Sequence, residues 1–381
     1  MRRFLWILAV LCLLLPMGVR AEEAKEPTAE EIGQQLFDKF DFSGMDNLLE
    51  EIFPDEKLSF MDTLTSVLSG DTELTFGLII DFVTDQFAYE LQSSRGSLIH
   101  ILLLVIVAAV FSNFSSVFKS TQVAEISFFM LYMLLITICL NNFRILADAA
   151  ATNLATLIQF MKLLGPIYFL AVGMATGSMS SVSFYQIVLL LVFLAEMIVL
   201  HFLIPVTQIY FMMKILGELS PEVPLTKFAE FLETVVSWTL KTLMAGIVGF
   251  NVIQGMIAPA IDSVKRSILL RGGESIPIIG NAIGGVTEVV IGTAVLIKNG
   301  IGVVGMIICL MICLTPIIQM AITSLLYQLL SALIQPISDK RFVNCVSSMA
   351  DGTKLLLKVM VTTGILFMLT IAVVASSTGG S

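Results

Sequence analysis

The sequence predicts an all-α, polytopic membrane protein of about eight spans, with a small helical domain outside the cytoplasm. Three observations carry that prediction. Hydrophobic residues make up 57% of the 381-residue chain and charged residues only 13%, against about 25% charged in an ordinary soluble chain. From Ser97 onward the apolar residues gather in blocks of about 20, the length that crosses a hydrocarbon core. Ahead of them lies an acidic segment. Residues 22–95 hold 18 Asp and Glu against 4 Lys and Arg, net −14, whereas residues 96–381 hold 12 against 14.

The front of the chain reads as a signal peptide over residues 1–21. Met1-Arg2-Arg3 is a basic start, Phe4 to Leu15 a short apolar stretch, and Pro16 ends it. Val19-Arg20-Ala21 then supplies the small-residue pattern of a cleavage site, which predicts cleavage after Ala21. Cys12 sits mid-stretch, which argues against a lipid anchor.

Residues 22–95 are predicted to form an acidic, extracytoplasmic helical domain. Thr28 and Glu31 have capping-box spacing, which satisfies the free N–H groups of a helix start. Ile32, Leu36, Phe37 and Phe40 then share one face. A second helix is predicted from Ser59 to Gly70, burying Leu58, Met61, Leu64 and Leu68. A third, over about 75–92, carries Leu78, Ile79, Phe82 and Leu91. Helices this short need partners; their apolar faces are suited to one another, to the membrane domain or to a second protein.

The membrane domain, residues 96–381, contains eight apolar segments: 97–118, 123–141, 157–176, 184–206, 235–258, 276–297, 301–323 and 355–375. If residue 22 lies outside, alternation puts Lys119, then Lys265, Arg266 and Arg271, then Lys340, Arg341 and Lys354 in the cytoplasm. Outside fall Arg144, the mixed stretch 214–233 and Lys298. This agrees with the excess of basic residues in cytoplasmic loops, so both ends are predicted to be extracytoplasmic.

Ionisable residues inside apolar segments are costly and usually have a partner or a water-filled cavity. Glu196 and His201 in the fourth segment, Lys241 near the start of the fifth and Glu288 in the sixth are the candidates. Snorkelling to the headgroups is the competing explanation, strongest for Lys241. Residues 145–163 are amphipathic, with Asp148, Thr152, Thr156, Gln159 and Lys162 on one face. Such a stripe lies in the interface, contacts another subunit or faces water in a bundle.

The stretch 271–305 is rich in glycine. Gly280 and Gly284 have the four-residue spacing of close helix approach, and Pro277, Gly285 and Gly292 extend the pattern. Glycine at this density suits either tight helix packing or a re-entrant segment. Pro205, Pro259 and Pro316 also interrupt apolar runs.

Enzyme signatures are missing from the sequence. No Gly-Lys dipeptide is present to build a Walker A loop, and neither His100 nor His201 begins a zinc-protease motif. There is no G-x-S-x-G elbow. No catalytic, cofactor-binding or metal-ligating residues are expected, and an acidic domain is a poor candidate for nucleic-acid binding, so no nucleic-acid partner is expected. The cysteines imply no disulfide framework, since none lies in 22–95. Cys309 and Cys313 sit one helical turn apart and read as packing residues.

One stretch runs Arg266-Ser-Ile-Leu-Leu-Arg-Gly-Gly-Glu-Ser-Ile-Pro-Ile-Ile-Gly280, then Thr287-Glu-Val-Val-Ile and Ala294-Val-Leu-Ile-Lys-Asn-Gly-Ile-Gly-Val-Val-Gly305. With Gln335-Pro336 and the order of segments, it resembles the stage III sporulation protein AE family of endospore-forming bacteria. The resemblance implies a multi-pass protein of the mother-cell membrane around the forespore. It further implies membership of a channel-like complex with an ATPase acting in trans, ring-forming subunits and a forespore-membrane partner. It brings no catalytic residues. Two other functions fit the residues alone: a stand-alone secondary transporter using Glu196 and Glu288, and a structural membrane scaffold.

Overall fold

A computed structural model of the chain describes residues 40–54, 58–70, 72–117, 121–176, 190–219, 225–273 and 280–377. The predicted signal peptide, its cleavage site at Ala21, the capping box at Thr28 and Pro277 lie outside these residues. Every regular element described is helical.

Two short helices come first. In α1 (Ser43–Ile52) Asp41 accepts hydrogen bonds from the Ser43 N–H at 3.0 Å and hydroxyl at 2.5 Å. These bonds hold the exposed Asp41 carboxyl below the usual carboxylate range. Asp46 reaches forward from α1 to accept the Phe60 N–H at 2.7 Å, which ties α1 to the start of α2 (Phe60–Ser69). Ser59 caps α2, and Gly70 ends it at φ 80°, a left-handed conformation that glycine adopts without strain. The predicted limits of this helix, Ser59 and Gly70, are those observed. Its most deeply buried residues are Phe60 and Leu64.

Long helices build the rest: α3 (Thr72–Val117), α4 (Thr121–Thr176), α5 (residues 190–198), α6 (Ile204–Leu219), α7 (Leu225–Gly273), α8 (Gly280–Ile334) and α9 (Lys340–Ser377). Val199–Leu203 is a π-turn joining α5 to α6. Pro205 explains it: proline has no N–H for the His201 carbonyl and its ring would crowd that oxygen. The Ile204 N–H bonds instead to Val199, five residues back.

Six helical stretches among the described residues are long and apolar enough to span a bilayer: 80–110, 126–175, 190–218, 225–250, 291–334 and 340–372. The chain is therefore an all-α polytopic membrane protein. Two of the breaks predicted between the eight segments do not exist, however. Segments 123–141 and 157–176 are parts of one helix, α4, and the described part of 276–297, from Gly280 on, runs into 301–323 within α8. Arg144 and Lys298, expected in loops, sit inside these helices. The hydropathy dip at 141–162 comes chiefly from the polar stripe Arg144, Asp148, Thr152, Gln159 and Lys162 on one face, which leaves the backbone ladder intact. At 1.5 Å per residue, the 56 residues of α4 extend about 84 Å, well over twice the hydrocarbon thickness. Likewise α3 crosses residue 95, the predicted domain boundary, without a break.

The centre of the bundle is the α8–α9 hairpin. In both helices 56% of the most apolar window is buried, against 28–33% in the other four spans. Residues 335–339 turn the chain, with Asp339 capping α9 by accepting the Arg341 N–H at 2.9 Å. The Ser331 hydroxyl donates to the Val343 carbonyl at 3.3 Å and that of Ser324 to Ala350 at 3.1 Å, while Gly364 lies against Cys313. Falling numbers on α8 thus meet rising numbers on α9, an antiparallel pair. Small residues and hydroxyls on this seam suit a bilayer, where helix association depends on close packing and interhelical hydrogen bonds.

The remaining helices wrap the hairpin. Asn142 of α4 donates to the Tyr327 hydroxyl at 3.0 Å, Leu164 lies at Gly305 and Tyr168 at Gly302, so α4 runs antiparallel to α8. The faces of α1 and α2 are spent on the membrane helices. Gly44 meets Leu163 of α4, and Leu64 and Leu68 lie over Gly300 of α8. Phe40, Phe42 and Phe60 stack in series, and Phe53 meets Phe82 of α3 edge-on.

Candidate functional site

The predicted site residues do not converge. Glu196 ends up in an ion pair: its carboxylate accepts from the Lys162 ammonium at 2.7 Å, joining α5 to α4. His201 lies on the exposed side of the π-turn. Lys241, also exposed, lines a cleft between α7 and α9 with Ser237, Lys358 and Thr362. Glu288, Gly280, Gly284 and Gly285 fall in the first turns of α8, where only the backbone is described. Gly292 has open space beside it, so no neighbour requires its missing side chain.

The glycines that admit close neighbours are further along. A Cβ would lie 2.8 Å from Leu64 at Gly300, 2.9 Å from the Tyr168 hydroxyl at Gly302 and 2.7 Å from Leu164 at Gly305. At Gly352 it would lie 2.8 Å from the Phe143 ring and 2.9 Å from the Phe211 ring. Those two rings stack with centroids 4.0 Å apart. The sequence shows the first three as part of a glycine-rich run, but only packing distinguishes them from Gly292.

Sequence reasoning also missed three polar groups. Glu90 is buried at 4% exposure, accepting from Ser94 at 3.3 Å and from Thr323 of α8 at 3.5 Å. The available signal was its place on the face of buried Phe82 and Ile101. Lys298 is fully buried; the loop prediction hid it, although it shares a face with Ala294 and Ile301. Lys214 of α6 donates to Asp351 of α9 at 2.5 Å and to the Tyr210 hydroxyl at 3.3 Å, with Lys354 3.7 Å from the same carboxylate. No periodicity links residues 137 apart in sequence.

These contacts set the helices side by side at one height. Opposite α8 residues 305–327 lies α4 from Leu164 back to Asn142. Glu196 stands beside Lys162, and Lys214 beside Asp351, so α5 and α6 flank the same stretch. Ser237 of α7 accepts from Lys358 at 2.8 Å, and Lys358 falls between Ala350 and Gly364, which face that stretch too. Outward from α5, α6 and the turn between them point Met197, Phe202, Ile209 and Met212, an apolar set, whereas α7 exposes Trp238 together with Lys227, Glu230, Glu233 and Lys241. Outward from α4 at the same height point Arg144, Asp148, Thr152, Gln159 and Lys162. Their exposure is high: 80% for the Arg144 side chain, 64% for Asp148 and 47% for Lys162.

The α5–α6 side of the bundle is therefore mostly apolar outward, and the outward side of α4 is polar at the same level. Among the described residues no cluster of His, Cys, Asp or Glu is arranged for a metal ion. Cys139, Cys309, Cys313 and Cys345 are free and buried.

These features define the class: a multi-pass helical membrane protein with a packed central hairpin and a polar flank. The family model for stage III sporulation protein AE matches residues 58–378, and the chain belongs to that family. The stage III sporulation protein AE of Bacillus subtilis (strain 168) is similar, 21% identical over 392 residues, covering 99% of this chain and 98% of that protein. No solved structure matches the chain.

Proposed function

We propose that this chain is a non-enzymatic membrane subunit of a multi-protein, channel-like sporulation complex in the mother-cell membrane around the forespore. The observation that carries this is the polar flank of α4. Arg144 pairs with Asp148 at 3.6 Å and Lys162 with Glu196 at 2.7 Å, but with Thr152 and Gln159 they still form an exposed polar stripe along a membrane helix, which favours protein or enclosed water over lipid on that side. A subunit with such a flank is completed by neighbours, as a component of an assembly is. Glu196, on which a stand-alone transporter would depend, already has Lys162 as its counter-ion.

The partners that fit are those the family resemblance implies: an ATPase acting in trans, ring-forming subunits and a protein of the forespore membrane. In this reading the acidic region of 22–95 lies outside the cytoplasm. With six spans that orientation rests on Lys340 and Arg341, because alternation now puts Lys265, Arg266 and Arg271 on the α1–α2 side instead of in the cytoplasm as the eight-segment reading expected. The α1–α2 end packs near Gly300, whereas Lys340 and Arg341 sit at the α8–α9 turn, about 50 Å further along α8.

The test is purification of the tagged full chain from sporulating cells in mild detergent. Recovery of the ATPase and ring-forming proteins is expected, with loss of those partners in a Thr152→Trp variant that still purifies as a folded chain. A reproducible homogeneous product free of such partners overturns the proposal.

A further inference from the structure

We propose that the cleft between α7 and α9 binds one anionic phospholipid, its phosphate held by Lys241 and Lys358 and an acyl chain laid along the apolar lining of the cleft. The cleft has a volume of about 350 Å³, within the range of small-ligand sites. Its apolar lining is Leu240, Met244, Ala245 and Val248. The Lys358 ammonium is fixed at the seam by its 2.8 Å hydrogen bond to Ser237, which leaves two of its three N–H donors for another acceptor. Lys241 follows Ser237 by four residues, one turn along the same face of α7. Two ammonium groups therefore flank one apolar cleft.

Four other lysines of the bundle are paired. Lys162, Lys214, Lys227 and Lys354 each meet a carboxylate within 4 Å. Among the described residues neither Lys241 nor Lys358 does. Two like charges on one seam beside lipid repel each other and lack a counter-ion. A phosphodiester with attached acyl chains supplies the missing negative charge and matches the apolar lining. Neither a soluble anion nor a neutral lipid does both. Basic pockets between membrane helices recognise anionic headgroups in this way.

The experiment is native mass spectrometry of the purified full chain exposed to phosphatidylglycerol or to phosphatidylcholine of identical acyl chains. Wild-type protein should retain phosphatidylglycerol preferentially. Lys241→Gln and Lys358→Gln should each weaken retention about fivefold, and the double variant about thirtyfold, the effect of about one favourable kcal/mol per lysine at an anionic headgroup. Lys227→Gln, outside the cleft, should change nothing. Ala245→Phe should expel the lipid with both charges intact. Equal retention of the two lipids by wild-type protein overturns the proposal. So does undiminished binding to the double variant, or displacement of the lipid by millimolar inorganic phosphate, which would mark a small-anion site instead.

Discussion

Replacing Gly352 with alanine tests the packing of the central hairpin most sharply. The added methyl would lie 2.8 Å from Cε2 of Phe143 and 2.9 Å from Cδ2 of Phe211. Those rings face each other at 4.0 Å with 28° between their planes, and both are buried at 2% exposure or less. Neither can swing aside as the tip of a leucine can, so α4, α6 and α9 must separate. Overpacking of this kind costs about 1–3 kcal/mol. It outweighs the gain of about 0.5–1 kcal/mol that alanine brings to a helix interior. Gly292 is the control. Nothing lies within 4 Å of its would-be Cβ, so Gly292→Ala should keep the helix gain and raise stability slightly. The buried cysteines 139, 309, 313 and 345 provide the assay. A thiol-reactive dye added to the detergent-solubilised chain reports unfolding as they become accessible. Gly352→Ala should lower the midpoint by several degrees, at about 2–4 °C per kcal/mol in the first instance. A midpoint at or above wild type for Gly352→Ala, with a lowered one for Gly292→Ala, would refute the reasoning.

Two further perturbations address local chemistry. Lys214→Met leaves Asp351 with only the more distant Lys354. Because both partners are about one-quarter to one-third exposed, the loss should be about 1 kcal/mol, and a Lys214→Met, Asp351→Asn double-mutant cycle should return coupling of that order. Additive single effects would show that the pair contributes nothing. Gly70→Ala places a side chain at φ 80°, where the open surroundings remove any steric excuse. The backbone alone should cost about 1–2 kcal/mol, read as a lower midpoint in the same dye assay, whereas Gly77→Ala in open helix should not.

Much of the architecture follows from local rules. The α2 limits at Ser59 and Gly70 were readable because a side-chain cap and a left-handed stop act within four residues. The apolar spans were readable because hydrocarbon thickness fixes their length. The divisions within α4 and α8 were not. A window average records the polarity of Arg144, Asp148 and Lys162, but it does not record that they share one face of an unbroken helix.

The sequence by itself determined that this chain is helical, crosses a membrane repeatedly and carries no enzyme signature. It also determined the family, because composition, span length and the 266–305 stretch are local properties. The tertiary structure decided which polar groups meet and which glycines matter. It paired Lys162 with Glu196 and Lys214 with Asp351, buried Glu90 against Thr323, and made Gly352 critical while leaving Gly292 free. The physical reason is that each outcome depends on a neighbour tens to hundreds of residues away. Helix register sets such distances, and no periodicity along the chain encodes them.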